Sequence, residues 1–475
     1  MDTPPFVPAG DIAAVPPSVL ALIQWQAGQI ARLTARAAEL EAQVAVLTAR
    51  LNKDSSNSST PPSSAHPHAK PASPKPKSKR RRGGQPGHRK AERALVPVED
   101  CRAVVPCIPG ECRRCGRALR GTDLEPLRHQ VWELPDIQPV VTEYRQHRLI
   151  CACGCSTCGD LPAGVPSGQA GPRLVAFAGL LMASFRQSKR RAAQFLGTIL
   201  NQPASAAWMV LLQNRCADAV QPAYDQLAAK LPGQPVLNID ESPTKEGPAR
   251  AWVWTFVADT FTFFACRTSR AADTLEDLLG ERYAGVIHCD RAKMYWRFGR
   301  LQWCWSHLKR DVQSLIDSPC RTRKRLGHDL MRQTRRLFEL WKRVRDGTIT
   351  RSTFVRGMRP VRAAVESLLL RGYFNAPTRG FCKELWKHRR HLWTFVEVDG
   401  VEPTNNAAER ALRHAVIWRK LSFGTQSAAG SRFVERMLTV IETARRAGRN
   451  VFAWLTEAVQ AHFNREAAPP LVAGP

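Results

Sequence analysis

A long low-complexity segment sets the first limit on how this chain can fold. Residues 52–90 read NKDSSNSSTPPSSAHPHAKPASPKPKSKRRRGGQPGHRK, which is rich in Ser and Pro and then in basic residues. A segment of this composition has too little apolar surface to bury a core. The chain of 475 residues therefore folds as separate parts on either side of it, and its length suggests about three domains.

The charge of the chain points to a polyanionic partner. Lys and Arg total 70 against 41 Asp and Glu, a formal net charge of +29, and 44% hydrophobic residues suffice for buried cores. Such an excess of positive charge is typical of proteins that bind nucleic acid or an anionic membrane surface. No apolar run reaches the roughly 18 residues of a membrane span, which excludes an integral membrane protein. The N-terminus lacks a secretion signal, so we expect an intracellular protein.

The segment before the linker, residues 18–52, predicts a coiled coil. From Ile30 the apolar residues recur in alternating steps of three and four, at Leu33, Ala37, Leu40, Val44, Leu47 and Leu51. This heptad seam favours dimerisation. An amphipathic helix packed on its own domain is the alternative.

The linker, placed at residues 53–95, predicts a basic disordered arm that contacts DNA. Between Asp54 and Glu92 it has nine Lys or Arg and no acid, including Arg80, Arg81 and Arg82. Such a strip attracts phosphates by releasing counterions, without reading sequence. A merely solvated linker is the alternative.

The Cys residues predict a zinc-binding module over residues 96–165. Cys112-Arg-Arg-Cys115-Gly forms one short pair, and about 35 residues later come four more thiols, at Cys151, Cys153, Cys155 and Cys158. Two such pairs suit one structural four-thiolate Zn²⁺ site, so we expect four of these six residues as ligands. Free buried Cys residues are the alternative.

Residues 166–232 predict a helical DNA-binding domain that resembles a helix-turn-helix. Leu174–Phe185 is apolar with helical spacing, and Gln187–Leu196 and Ser205–Leu212 indicate helix, turn, helix. The candidate DNA contacts are Lys189, Arg190 and Arg191. A plain helical hairpin fits the pattern equally well.

Residues 233–300 predict a mixed sheet with helices packed on it. Two apolar strands, Pro235–Asp240 and Gly285–Asp290, each end in an Asp, and between them lie strands Ala251–Val257 and Phe261–Cys266 and a helix, Ser269–Leu279. The order β-β-β-α-β is typical of a mixed sheet. Residues 301–402 are basic and helical, and residues 403–465 add further helices, the first capped by Thr404 or Asn405.

Three carboxylates are the candidate catalytic residues. If the strands that end at Asp240 and Asp290 are neighbours, both side chains meet at one rim of the sheet, and Glu409 from a helix completes the set. Three such groups favour hard cations such as Mg²⁺ or Mn²⁺, which can activate a water or a 3′-hydroxyl for phosphoryl transfer. A single Asp after a strand is more often a turn former. Basic residues around Glu409 predict phosphate contacts rather than a solvated face: Arg410, Arg413, Arg419 and Lys420.

The chain resembles the large transposase of the IS66 family of insertion sequences over nearly its whole length. The motifs that carry the resemblance occur in the family's order: the zipper with Asn-Ser-Ser behind it, Arg82-Gly-Gly-Gln-Pro-Gly-His88, the Cys segment, Gly171-Pro-Arg, Ser188-Lys-Arg-Arg, Asp240-Glu241, Cys289-Asp290, Cys304-Trp-Ser-His307-Leu-Lys-Arg310 and Asn405-Asn-Ala-Ala-Glu409-Arg-Ala-Leu-Arg413. The resemblance implies a multidomain α+β protein. Its catalytic core is expected to be RNase H-like and of the DDE type, with Asp240, Asp290 and Glu409 as metal ligands and a helical insertion before the Glu.

The resemblance also implies partners and further site residues. Cys304 and His307 are expected near the active site or its DNA, and the family's zinc ribbon favours Cys151 and Cys153, with Cys155 and Cys158 as rivals. Arg291, directly after Asp290, departs from the pattern and could bind phosphate.

The expected function is metal-dependent cleavage and transfer of DNA strands at the terminal inverted repeats of an element, into target DNA. We expect at least a dimer in the bacterial cytoplasm at the nucleoid, with two small accessory proteins of the same element. A DNA-binding regulator without catalysis and a nuclease that only hydrolyses remain the alternatives.

Overall fold

The computed structural model describes residues 15–51, 53, 57–58, 87–88 and 93–472. Arg80, Arg81 and Arg82 lie outside the described residues, so their contact with DNA stays a prediction.

The N-terminal part is a single long helix, α1 (Pro17–Leu51). It covers nearly the whole range predicted from the heptad seam. The apolar seam residues are exposed along its length, among them Ile30, Leu33, Val44 and Leu47. Leaving such a seam in water costs free energy that pairing with another helix would recover. Pairing itself stays a prediction.

The Cys-rich segment contains little regular structure. Strands β1 (Arg148–Ile150) and β2 (Ser156–Cys158) pair antiparallel, and an isolated bridge joins Glu111 to Ala118. Each pairing closes a tight turn that carries thiols.

A five-stranded mixed sheet forms the centre of the rest of the chain, and the predicted mixed sheet is therefore confirmed. Its order is β5-β4-β3-β6-β7. Strand β3 is antiparallel to β4 and parallel to β6, β4 is antiparallel to β5, and β6 is parallel to β7. The bounds are β3 (Val236–Glu246), β4 (Ala249–Val257), β5 (Thr262–Arg267), β6 (Val286–Cys289) and β7 (Leu301–Trp303).

Two strand predictions need correction. Strand β3 does not end at Asp240 but continues to Glu246, because its polar second half pairs with β4 in a long hairpin that turns at Gly247, where φ is +56°. The segment predicted as a helical insertion from residue 301 begins instead with β7 (Leu301–Trp303), which pairs with β6 and is fully buried.

Helices cover the sheet and share one hydrophobic core with it. The helices of the segment predicted as a DNA-binding domain pack into this same core, together with the last two helices of the chain. The bounds are α2 (Pro172–Ala183), α3 (Lys189–Ile199), α4 (Ala206–Ala219), α5 (Gln221–Lys230), α6 (Ala272–Leu279), α12 (Asn406–Ser422), α13 (Ala428–Arg446) and α14 (Val451–Asn464).

The insertion between β7 and α12 is helical, as expected. Its helices are α7 (Trp305–Ile316), α8 (Arg321–Arg345), α9 (Arg351–Tyr373), α10 (Arg379–Lys387) and α11 (Thr394–Glu397). Arg291 ties this insertion to the end of β6, since it forms ion pairs with Asp311 at 2.7 Å and with Glu384 at 2.8 Å. The side chain expected as a phosphate contact is therefore already paired within the protein.

Helix α13 covers the outer edge of the sheet by an unusual set of hydrogen bonds. Three of its side chains, one per turn, bond to the backbone of alternate β5 residues. The amide of Thr262 donates to Thr443 Oγ1, the amide of Phe264 to Thr439 Oγ1 and the amide of Cys266 to the Glu435 carboxylate. The helix thus satisfies polar groups that an edge strand would leave unpaired.

Candidate active site

Asp240 and Asp290 lie level with each other on neighbouring parallel strands. The parallel register pairs Val236 with Val286 and Asn238 with His288, and each Asp follows two residues beyond that last pair. Strand β6 ends at this point, whereas β3 continues past it. Both carboxylates therefore stand at the carboxyl end of the β3–β6 pairing, which is where ligands bind in open α/β sheets.

Glu409 is brought to the sheet by the first turn of α12. Asn405 occupies the N-cap position of this helix but makes no side-chain cap, contrary to the sequence-based prediction. Its amide group instead donates to the carbonyl of Ile239 at 2.7 Å, and Asn405 is 1% exposed. This bond ties the start of the helix to the residue directly before Asp240.

The three carboxylates share one electrostatic environment. Burial raises the pKa of Asp240 well above its usual range, and the charges of Glu241, Asp290 and Glu409 raise it further. Burial also raises the pKa of Glu409, against the opposing effect of Arg310. Like charges in a low-dielectric site repel, and a divalent cation is the partner that such carboxylates favour. The donor set fits Mg²⁺ or Mn²⁺.

Glu409 also faces the residues of the Cys-x-x-His motif. Cys304 occupies the N-cap position of α7, and His307 lies in the first turn of that helix. In the described part of the chain, the group of ligand atoms that all lie within 4.8 Å of one another comprises Cys304, His307 and Glu409. The structure thus brings Cys304 and His307 to the third carboxylate, and Asp240 and Asp290 do not join that tight group.

Glu241 is a buried carboxylate whose role the sequence did not reveal. Its side chain is 3% exposed, forms an ion pair with Arg270 at 2.5 Å and accepts a hydrogen bond from the Tyr295 hydroxyl at 2.6 Å. Burial raises the pKa of Asp290, and the amide of Ala292 and the charge of Arg270 act against that rise. The only sequence signal for Glu241 was the acidic pair Asp240-Glu241 inside an apolar strand. The partners of Glu241 lie 29 and 54 positions further along the chain, so the sequence did not point to them.

Six of the predicted DNA-binding residues are exposed and lie on two helices. Arg410, Arg413 and Lys420 are exposed on α12, and the triplet Lys189, Arg190 and Arg191 is exposed on the first turn of α3. Arg186, three residues before α3, hydrogen-bonds His414 of α12 at 2.9 Å, so the segment that leads into α3 contacts α12. Arg419 differs, because its guanidinium donates to the Pro243 carbonyl and to Ser242.

The thiols of the Cys-rich segment form two separate turns. In the first, the amides of Arg114 and Cys115 face the Cys112 thiol and lower its pKa. In the second, the amide of Cys153 does the same for Cys151. Within the described residues, the six predicted ligands do not form a group with all atoms within 4.8 Å. A shared zinc site therefore stays a prediction, and so does the choice of Cys151 and Cys153 over Cys155 and Cys158.

Comparison with protein families places this architecture among DNA-processing enzymes. The model of the transposase IS66 family matches residues 167–432, which is more than half of the chain. The chain therefore belongs to the IS66 family of transposases, and the resemblance found in the sequence is confirmed. A family of unknown function, DUF6444, matches residues 14–94. No curated protein matches the chain.

Membership in this family supports two general statements about function. A transposase acts on DNA and so binds it, and the family suggests that divalent metal ions are used. Among the residues that the structure describes, no helix is both long and apolar enough to cross a membrane.

Proposed function

We propose that the protein is a DDE transposase that cleaves and transfers DNA strands at the ends of its insertion sequence. The observation that carries this proposal is the register of β3 and β6, which sets Asp240 and Asp290 level at the rim of the sheet, while Asn405 holds the start of the Glu409 helix against the same strand. The mixed sheet, with β5, β4 and β3 antiparallel and β6 and β7 parallel to β3, supports the RNase H-like core that this proposal includes.

In this proposal the chain's own residues bind the catalytic metal ions and the phosphates of the DNA. Asp240, Asp290 and Glu409 are the proposed carboxylate ligands. Divalent cations held there would lower the pKa of an attacking water or 3′-hydroxyl and stabilise the leaving 3′-oxygen. Arg410 and Arg413, exposed on the helix that carries Glu409, are placed to hold the phosphates of the strand being cut.

The remaining predictions extend this proposal to the whole protein. The seam of α1 would pair two copies, the Cys-rich turns would hold a structural Zn²⁺, and the basic start of α3 would contact the element ends together with α12. Accessory proteins of the same element and a nucleoid location complete the proposal.

A cleavage and joining assay tests the proposal. DNA carrying the element's own terminal repeats, labelled at one strand, is incubated with the full-length protein and Mg²⁺ or EDTA. We expect joined product only with Mg²⁺, and its loss in Asp240→Asn, Asp290→Asn and Glu409→Gln with binding of the ends retained. Glu402→Gln is the matched control, because Glu402 is an exposed acid near the start of α12.

The outcomes separate the alternatives. Cleaved product without joined product, with or without accessory proteins, would favour a hydrolytic nuclease. Binding without any product, also after the accessory proteins are added, would favour a regulator. Full activity in one of the three variants would remove that residue from the site.

A further inference from the structure

The strongest unassigned feature of the molecule is the environment of the Cys304 thiol. The side chain is buried, with 1% of Cys304 exposed, and its Sγ accepts a hydrogen bond from the amide of Asn405 at 3.1 Å. Burial raises the pKa of this thiol to about 11, and the amides of Asn405, His307 and Ser306 act against that rise. Amide donors directed at sulfur are the usual surroundings of a metal-bound thiolate, since they stabilise its negative charge.

Two further ligand atoms beside this thiol lack hydrogen-bond partners. His307 Nδ1 and Glu409 Oε1 are both buried and unpaired, and they lie 3.5 Å apart. Two ligands bound at about 2.0–2.2 Å in a tetrahedral zinc site are separated by roughly 3.3–3.6 Å. Arg310 lies 3.9 Å from the same Glu409 oxygen, which is too far for a hydrogen bond.

We propose that Cys304, His307 and Glu409 form a second metal site, distinct in chemistry from the carboxylate site, and that it takes Zn²⁺. A thiolate, an imidazole and a carboxylate are the ligands of zinc sites, whereas Mg²⁺ prefers oxygen ligands alone. Three protein ligands leave the fourth position open to water or another small ligand.

The proposed site shares Glu409 with the carboxylate site. A carboxylate that binds Zn²⁺ beside Cys304 and His307 is less available to a cation held by Asp240 and Asp290. Zn²⁺ should therefore oppose Mg²⁺-dependent cleavage. The expected opposition between Zn²⁺ and Mg²⁺-dependent cleavage rests on the proposed function, whereas the binding of zinc does not.

The decisive measurement is the zinc content of the full-length protein. The parent protein carries Cys→Ser substitutions at all six candidate zinc ligands of the Cys-rich segment, so that this segment no longer contributes a four-thiolate set: Cys112, Cys115, Cys151, Cys153, Cys155 and Cys158. After dialysis against Zn²⁺ and removal of loose metal, we expect one zinc per chain by atomic emission, and its loss on adding Cys304→Ser. Cys320→Ser is the matched control, because Cys320 is a half-buried thiol at the start of α8.

A second variant guards against a folding defect. His307→Gln keeps a polar side chain of similar size at a position that is 18% exposed, and it should also lose the zinc while its thermal unfolding in EDTA stays close to that of the parent. Co²⁺ gives an independent readout, since its sulfur charge-transfer absorption should be present in the parent and absent in Cys304→Ser. Equal zinc content in the parent, Cys304→Ser and His307→Gln would overturn the proposal.

The shared ligand is tested separately from the transposase activity. Within each protein, the ratio of cleavage with and without added Zn²⁺ is measured at fixed Mg²⁺. Half-inhibition should require at least tenfold more Zn²⁺ in Cys304→Ser than in Cys320→Ser, and equal sensitivity would overturn the sharing of Glu409. A protein that binds the predicted zinc but cuts no DNA would contradict the proposed function alone.

Discussion

At the scale of single residues, the charge at Asp240 opposes folding when no cation is present. Burial and three nearby carboxylates raise the pKa of this side chain, so the folded protein binds its proton more tightly than the unfolded chain does. Stability contributed by the proton is present at low pH and is lost as the pH rises through the raised pKa. The contribution of Asp240 to the stability of the metal-free protein should therefore be smaller at neutral pH than in mild acid.

Asp240→Asn should remove this penalty. We expect the metal-free variant to unfold at a higher temperature than the wild type at pH 7.5, by about 2–4 °C for each kcal/mol gained. The difference should shrink as the pH falls, since the wild-type carboxyl group then becomes protonated. Differential scanning calorimetry in EDTA from pH 5 to 8 measures both trends, and Asp225→Asn, at an exposed position on α5, is the control. A variant less stable than the wild type at every pH would contradict the prediction.

Asn405 should act as a positioning residue for Glu409. Its bond to the Ile239 carbonyl is buried, and Asn405→Ala would leave that carbonyl unpaired and cost about 1–3 kcal/mol of unfolding free energy. A shift of about 1 Å in a catalytic group can cost about 100-fold in rate, so we expect a cleavage loss of that order. Asn406→Ala, at the next position, is the control.

Binding of the element ends distinguishes this role of Asn405 from general unfolding. The affinity of Asn405→Ala for the ends should stay within about threefold of the wild type, while the cleavage rate falls. A parallel loss of affinity and rate would show a structural role instead.

The candidate site was largely predictable at this scale, except for the contacts between distant segments. Asp240, Asp290 and Glu409 have motif signals in the sequence, and the structure places the first two side by side. The ion pair of Glu241 with Arg270 and the paired state of Arg291 have no local pattern. They depend on which helix or loop packs against the sheet, which spacing along the chain does not specify.

At the scale of elements, the predictions failed where pairing overrides local composition. The second half of β3 contains Glu241, Ser242 and Pro243 and lacks an apolar run, so it does not read as a strand. It forms one because β4 offers a continuous partner up to Ala249. Likewise β7 is only three residues long. It forms a strand because it is buried beside β6, and local sequence preference alone would not produce it.

The hydrogen bonds from α13 to β5 should contribute measurably to stability. Thr439→Val keeps the shape of the side chain but leaves the buried amide of Phe264 without an acceptor, which should cost about 1–3 kcal/mol. Thr439→Ser keeps the hydroxyl and is the matched control, with a smaller loss from its missing methyl group. Urea unfolding of the three proteins gives the comparison, and equal stability of Val and wild type would contradict the prediction.

At the scale of the whole molecule, α1 should determine the oligomeric state. Leu40→Glu with Leu47→Glu places charges in the exposed seam and should convert a dimer to a monomer in light scattering at micromolar concentration. Ala38→Glu with Ala45→Glu adds the same charges outside the seam and should leave the mass unchanged. A monomeric wild type would contradict dimerisation through α1, and a dimeric seam variant would show that other surfaces hold the copies together.

The contact of α13 with β5 should also limit aggregation when many copies of the protein lie close together on DNA. A bare outer strand is a template on which a second chain can add, and repeated addition leads to cross-β fibres. Here the backbone groups of β5 are already occupied by Glu435, Thr439 and Thr443. Loss of these side chains should therefore show first as a tendency to aggregate on warming, before any change in the chemistry of the site.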